Sequence, residues 1–321
     1  MREMITRYAP APTGFLHIGH IVNAIYVWGV ARSTGGRVLL RIEDHDRQRS
    51  RAMFEAGILD DLAWLGFEAD DRPVRQSERG DIYSQSLDTL RARGLVYACT
   101  CSRAEIEVAG LKPCATDDRE PSRTEAPQPS PQNAAHPLRQ NVAQPFRAAE
   151  LRYPGTCRHR GLTESPGLGL RVRLDPSVER FVDLRHGPQE QRPSEQCGDL
   201  LVRDREGNWT YQFAATVDDW VQGVTHVIRG DDLLASTGRQ IQLARLLGRA
   251  EPPQFLHHAL IMKSPTQKLS KSDRDTGIRD LREQGWTPER VIGRAAALAG
   301  LCDKEIEVSA AGVTSLVKFR R

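Results

Sequence analysis

Residues 5–20 read Ile5-Thr6-Arg7-Tyr8-Ala9-Pro10-Ala11-Pro12-Thr13-Gly14-Phe15-Leu16-His17-Ile18-Gly19-His20. The run Ile5 to Tyr8 alternates as a strand does, and Pro10, Pro12 and Gly14 then break it. Beyond the break Leu16, Ile21, Ile25 and Trp28 recur at helical spacing. The alternation continues with a strand at Arg37 to Ile42, helices near Met53 to Leu65 and Ile82 to Leu90, and a strand at Leu95 to Cys99. Strands alternating with helices imply a parallel α/β sheet. In such sheets ligands bind at the carboxyl ends of strands, beside helix N-termini.

The pattern stops at about 115–150, where Pro121, Pro127, Pro129, Pro131, Pro137 and Pro145 mix with Gln, Ser and Ala. No periodicity survives there, so a disordered or loosely ordered insertion is expected. Strand-like segments resume at Gly169 to Leu174, Phe181 to Leu184 and Leu200 to Arg203. Glu206-Gly207-Asn208 reads as a hairpin turn into a further strand, Trp209 to Phe213. A strand at Val224 to Ile228, a helix at Asp232 to Leu247 and a strand at Phe255 to Met262 follow. A last helix at Pro288 to Leu301, with Thr287 as its N-cap, precedes the basic tail Lys318 to Arg321.

At 321 residues, with 39% apolar and 27% charged residues, the chain suits a soluble protein of two domains. It has no run of about 18–20 apolar residues and no apolar leader, so a cytoplasmic protein is expected. A net charge of +3 does not mark a polyanionic partner. Only six lysines stand against 39 arginines, yet Lys263, Lys268 and Lys271 fall close together. That cluster suits a site needing a compact, mobile ammonium rather than a planar fork. The six cysteines, Cys99, Cys101, Cys114, Cys157, Cys197 and Cys302, are too few and too uneven for a secreted disulfide framework, which raises the question of a metal.

Two segments carry the chemistry. His17-Ile18-Gly19-His20 opens the first helix, where unpaired N–H groups and the helix dipole attract phosphate. Gly19 leaves room for a nucleotide near the backbone, and His17 and His20, three apart, can stabilise developing charge on a phosphate. Lys268-Leu269-Ser270-Lys271-Ser272 places two ammonium groups among small hydroxyl residues, suited to a leaving pyrophosphate.

Together the two segments resemble the paired HIGH and KMSKS signatures of class I aminoacyl-tRNA synthetases, with Leu269 in place of Met. Arg7-Tyr8-Ala9-Pro10, Arg41-Ile42-Glu43-Asp44, Gln76-Ser77-Glu78-Arg79 and Gly223-Val224-Thr225-His226-Val227-Ile228-Arg229-Gly230 are similar to motifs of glutamyl-tRNA synthetases. The likeness covers about residues 5–100 and 150–275. It implies a Rossmann-like catalytic domain that activates L-glutamate with ATP and Mg2+ to glutamyl-adenylate and passes glutamate to RNA. Carried over by motif, His17, His20, Lys268 and Lys271 would be catalytic, and His17, Gly19, His20 and Lys271 would bind ATP. Arg7, Tyr8, Ala9, Pro10, Ala11, Glu43, Tyr211 and Arg229 would bind L-glutamate. Glu43 suits the substrate ammonium, and Arg7 and Arg229 suit its carboxylates. The family has Ser where Ala11 stands, so backbone groups are expected to keep that contact at some loss of affinity.

Cys99-Thr100-Cys101 and Tyr153-Pro154-Gly155-Thr156-Cys157 give three thiols and a phenol. Three thiolates and one further ligand make a tetrahedral structural zinc site. The CxC…YxxxC arrangement resembles the zinc site of the short glutamyl-tRNA synthetase paralogues that modify tRNA, with Cys99, Cys101, Tyr153 and Cys157 as ligands. Cys114, His159 and Cys197 compete for the role, and the Pro-rich insertion lies inside the metal loop. After Ser272 only 49 residues remain, without room for the large helical anticodon-binding region of a translational enzyme. The chain therefore resembles the queuosine-modifying branch of the family, which attaches glutamate to the cyclopentenediol of queuosine in the anticodon of tRNA(Asp). The expected organisation is 1–98 as the first catalytic half, 99–195 as an inserted zinc-bearing, acceptor-type subdomain, 196–275 as the second catalytic half and 276–321 as a short helical extension, the whole a monomer. The alternatives are a truncated translational glutamyl-tRNA synthetase, a catalytically idle RNA-binding remnant and a small-molecule adenylating enzyme.

Overall fold

The computed structural model describes residues 3–110, 151–264, 267–268 and 277–317. The insertion at 115–150, Cys114, Lys271 and the basic tail lie outside the described residues.

Strand β1 (Ile5–Tyr8) passes through the Pro/Gly turn into helix α1 (Ile18–Thr34). The helix ends where Gly35 adopts φ 68° and turns its N–H back to Ala31 and Arg32. Ile18, Ile21, Val22, Ala24, Ile25, Val27 and Trp28 are all buried, so α1 is apolar nearly all round and is covered on every side. β2 (Arg37–Ile42), α2 (Ala52–Leu65) and β3 (Val74–Arg75) follow, with β1, β2 and β3 parallel. Next come α3 (Gly80–Ala92), β4 (Val96–Cys99) and α4 (Arg103–Gly110).

Past residue 150 the order is β5 (Gly169–Val172), β6 (Glu179–Asp183), β7 (Gly187–Gln191), α5 (Pro193–Gln196), β8 (Leu200–Arg203), α6 (Tyr211–Val221) and β9 (His226–Gly230). Then come α7 (Thr237–Leu246), β10 (Gln254–His258), the hairpin β11 (Met262–Ser264) and β12 (Gln267–Lys268), α8 (Ile278–Glu283) and α9 (Pro288–Leu298).

β9, β10 and β6 are parallel neighbours, with β7 antiparallel at the edge. This sheet meets the first where Thr225 N donates to Ile5 O and Ile5 N to Thr225 Oγ1, both at 2.8 Å. The spatial order is β3-β2-β1-β9-β10-β6-β7, and the chain leaves β1 towards one side and β9 towards the other. A crevice at the carboxyl ends of β1 and β9 is the expected ligand position in a doubly wound sheet.

β4, β5 and β8 form a separate antiparallel sheet whose buried face, Leu170, Val172, Leu200 and Val202, packs with Leu87 and Phe213. Val291, Ile292 and Ala295 of α9, together with Val313 and Val317, share one core with Ile21 and Ile25 of α1. Among the described residues no helix is long and apolar enough to cross a membrane.

The strand expected at Trp209 to Phe213 does not form. Trp209 makes one bridge to Arg203, and Tyr211 then opens α6. Phe213, Ala214 and Val217 are buried at helical spacing, a period that five residues were too few to show. β10 ends at His258, not Met262, because the chain turns into the β11–β12 hairpin. β7, Gly-Pro-Gln-Glu-Gln, is an edge strand with no apolar residue to announce it.

Candidate functional site

The crevice between β1 and β9 holds a cavity of about 620 Å³. Arg7, Ala9, Pro10, Ala11, His17, Gly19, His20, Glu43, Tyr211 and Arg229 line it, drawn from the ends of β1, β2 and β9 and the starts of α1 and α6. Ten residues singled out in sequence thus share one wall system. Tyr8 does not. It is 1% exposed, its ring tilts against Trp28 at 5.2 Å, and its hydroxyl donates to His20 O at 3.3 Å. Side chains alternate along β1, so Arg7 faces the cavity and Tyr8 supports α1 from behind. Only the backbone of Lys268 is described, and Lys271 lies outside the described residues.

The two histidines cap α1 reciprocally. His17 Nδ1 accepts from Gly19 N at 3.1 Å, and His17 N donates to His20 Nδ1 at 3.0 Å. Their rings lie 3.9 Å apart. A Cβ on Gly19 would come within 2.9 Å of His17 Cε1, so this pairing requires glycine. Histidine here does the work usual for Ser or Asp at an N-cap and Glu at the third position, and each ring keeps its second nitrogen away from the backbone bond.

A buried charge network sets the cationic wall. Asp219 Oδ1 accepts from Arg7 Nε at 2.9 Å and from Arg41 Nη1 at 2.7 Å. Burial alone would raise Asp219, but Arg7 and Arg41 outweigh it and hold the carboxyl at about 2. Arg41, fully buried, also donates to Glu43 Oε1 at 3.2 Å, fixing the carboxylate expected to meet an ammonium. Neighbouring Asp218 accepts from Gln76 at 2.8 Å, Arg79 at 2.6 Å and Tyr83 at 2.8 Å, which ties the Gln76–Arg79 segment to the same acidic pair.

Arg229 is different. It is 4% exposed and donates to His257 Nε2 at 2.9 Å, Gln240 Oε1 at 2.7 Å, Thr237 Oγ1 at 2.9 Å and Leu233 O at 3.4 Å. Every acceptor is neutral, and no carboxylate among the described residues pairs with it. Burial pushes its basicity down. Asp219 acts on it only without direct contact, so this buried cation facing the cavity is compensated in part and gains further when an anion arrives. Tyr211, whose hydroxyl is pushed up by burial and then by Glu43, stands in the same wall.

His258 also lines the cavity, stacked on Tyr26 at 4.8 Å and 7° and within 3.1 Å of Asn23 Oδ1. The sequence singled out neither it nor Asp219 and His257, and it gave Arg41 only as part of the Arg41–Asp44 motif, without a role. A charged residue inside the apolar run Arg37 to Ile42 was the available sign for Arg41.

About the other sheet, the Sγ atoms of Cys99, Cys101 and Cys157 lie within 4.8 Å of one another. Cys101 and Cys157 are 3.6 Å apart, and Cys99 Sγ lies 3.5 Å from Tyr153 Oη. Thiolates bound tetrahedrally at about 2.3 Å sit roughly 3.8 Å apart, so the spacing fits a metal and is too long for a disulfide. Cys197 is elsewhere, donating to Pro193 O at 3.2 Å, and His159 is not in the group.

The N-terminus of α1 and two buried arginines, Arg7 and Arg229, face the cavity at the switch point of a doubly wound sheet, an arrangement that fits a class I synthetase catalytic fold. The chain belongs to the family of class I tRNA synthetases (E and Q), catalytic domain, whose model matches residues 3–142 and 150–317. It is similar to the Glutamyl-Q tRNA(Asp) synthetase of Rhodobacter capsulatus, 38% identical over 305 residues, covering 90% of this chain and 100% of that one. It is equally similar, at 38% over 289 residues and 89% of its length, to Glutamate–tRNA ligase 1 of Acidithiobacillus ferrooxidans, but spans only 55% of that relative. A crystal structure of a glutamate tRNA ligase from Elizabethkingia meningosepticum in complex with its amino acid superposes with TM-score 0.72 at 26% identity, over 98% of this chain and 64% of that one.

Proposed function

We propose that the protein is a ligase that activates L-glutamate with ATP and transfers it to the cyclopentenediol of queuosine in the anticodon of tRNA(Asp). A glutamate carboxylate oxygen attacks the α-phosphorus, the bond to the bridging oxygen breaks, and pyrophosphate leaves with the electron pair. A queuosine hydroxyl then displaces AMP from the mixed anhydride. No protein nucleophile is needed, because positioning and electrostatics suffice.

Arg229 carries the assignment of a dicarboxylic substrate, since every group that accepts a hydrogen bond from it within the protein is neutral. Arg7 assists, partly neutralised by Asp219, and Glu43 receives the ammonium. Ala9, Pro10 and Ala11 give the pocket its backbone wall. His17, Gly19 and His20 would take the triphosphate of Mg-ATP at the N-terminus of α1, and Lys268 and Lys271 the leaving pyrophosphate. Cys99, Cys101, Cys157 and Tyr153 fit a zinc ion, which would clip the segment after residue 150 to β4 and supply no reacting group.

Support for queuosine as acceptor comes from the match over the whole length of the R. capsulatus relative. An unpaired anticodon base can enter a cavity that a duplex cannot. The deciding assay is glutamate charging of queuosine-containing against queuosine-free tRNA(Asp). Charging only of the former, abolished by periodate oxidation of the cis-diol, is the expected result. Charging of the 3′ end of tRNA(Glu) instead would identify a translational enzyme.

A further inference from the structure

Behind Arg229 lies a buried relay that the activation chemistry does not require. His257, at the fourth position of β10 and 0% exposed, sits with Nδ1 2.7 Å from Asp183 Oδ2 and Nε2 2.9 Å from Arg229 Nε. A guanidinium can only donate and an ionised carboxylate can only accept. The imidazole must therefore carry its proton on Nδ1 and offer a bare Nε2 to the arginine. Asp183 is itself locked by the backbone N–H groups of Arg185, His186 and His257 at 3.0, 2.9 and 3.1 Å. Thr237 and Gln240 of α7 hold the other two nitrogens of Arg229, so the fork is fixed along both edges.

The arrangement contrasts with the other cation in the cavity. Arg7 is met directly by a carboxylate, Asp219, whereas Asp183 reaches Arg229 only through a neutral ring. We propose that His257 is the positioning residue through which the site selects a carboxylate over an amide: it orients Arg229 by hydrogen bonding without neutralising it, so that the substrate's side-chain carboxylate supplies the missing charge. The inference deepens the glutamate reading and rests on it. Burial keeps His257 neutral down to about pH 4, as the acceptor role demands. Glutamine, equal in shape, would leave Arg229 without a counter-charge. Because the side-chain carboxylate keeps its charge throughout activation, the contact acts on ground state and transition state alike, and its loss belongs in KM more than in kcat.

The test is ATP–pyrophosphate exchange without RNA, with glutamate and glutamine each titrated against wild type, His257→Phe and His257→Gln. Wild type should exchange with glutamate. The Phe variant should raise the glutamate KM at least about tenfold, with the KM for ATP within about twofold, and lower the glutamate-to-glutamine ratio of kcat/KM at least about tenfold. The Gln variant, whose amide oxygen can accept from Arg229, should recover most of that loss. A folded Phe variant with unchanged glutamate KM and unchanged ratio overturns the proposal while leaving the glutamate reading intact. Absence of exchange by wild type with glutamate overturns the reading beneath it. Should the Phe variant not fold, 15N-histidine NMR of wild type decides: a bare Nε2 on His257 at pH 7 is expected, and a protonated Nε2 refutes the relay.

Discussion

His17 N donates to His20 Nδ1 at 3.0 Å and Gly19 N to His17 Nδ1 at 3.1 Å, so the first turn of α1 is closed by the same two residues that line the cavity. One pair of imidazoles thereby serves both helix stability and the site. The two roles separate by substitution. Asn is an excellent N-cap but has no imidazole, so His17→Asn should keep thermal stability within about 1 kcal/mol of wild type. Pyrophosphate exchange should nevertheless fall at least about tenfold, through lost charge stabilisation. A variant as active as wild type would show that His17 is only a cap.

Lys271→Ala should lower the exchange rate more than about tenfold with no measurable change in unfolding temperature, as fits a compact point charge acting on pyrophosphate. An unchanged rate would remove Lys271 from the mechanism.

Ala11 lines the cavity, and its carbonyl accepts from Thr13 N at 2.8 Å, which fixes the turn. Ser at this position adds a hydroxyl to the cavity wall without disturbing that bond. Ala11→Ser should lower the glutamate KM by about threefold to tenfold, the worth of one hydrogen bond. Steady-state exchange kinetics check it, and an unchanged KM would overturn the idea that the missing hydroxyl weakens glutamate binding.

Metal analysis of purified protein should find one zinc per chain, and Cys157→Ala should lose it. Because the ion would close a loop of more than 50 residues between Cys101 and Tyr153, its removal should cost several kcal/mol of stability and expose the segment after residue 150 to protease. Stable, metal-free wild-type protein would refute the site.

Asp61 is 0% exposed, both of its oxygens lack a hydrogen-bond partner, and Arg279 Nε stands 3.9 Å away. Burial raises its carboxyl from 3.8 to about 6, so the native state binds the proton more tightly than the unfolded chain and Asp61 destabilises progressively as pH rises from about 4 to 6. His257, lowered from 6.5 to about 4 by burial, acts oppositely and weakens the fold as pH falls through that window, with His226 and His258 shifted in the same direction. Asp61→Asn should therefore stabilise the protein at pH 7 by about 1–2 kcal/mol, after allowance for the nearby arginines. It should also steepen the loss of stability between about pH 6.5 and 4. Urea unfolding at a series of pH values tests both; a variant less stable at pH 7 would contradict the assignment.

The strand, turn and helix of residues 5–34 were legible because apolar spacing, Pro and Gly report local backbone preference directly. The same holds for α2, α3 and the parallel character of β2 and β9. β7 escaped because an edge strand needs no apolar face, and α6 was misread because five residues cannot separate a period of two from one of 3.6.

Motif reading likewise reached the side chains that line the cavity, from Arg7 to Arg229. It missed Tyr8's inward turn, the supporting role of Arg41, and the supports Asp219, Asp183 and His257. Asp219 meets Arg7 across 212 positions and Asp183 meets His257 across 74, and no local pattern encodes such partners. By itself the sequence determined a histidine-flanked helix start, a cationic pocket and a thiol cluster. Only the tertiary structure decided which cation is neutralised and which stays charged, because that depends on what burial places within 3 Å of each guanidinium.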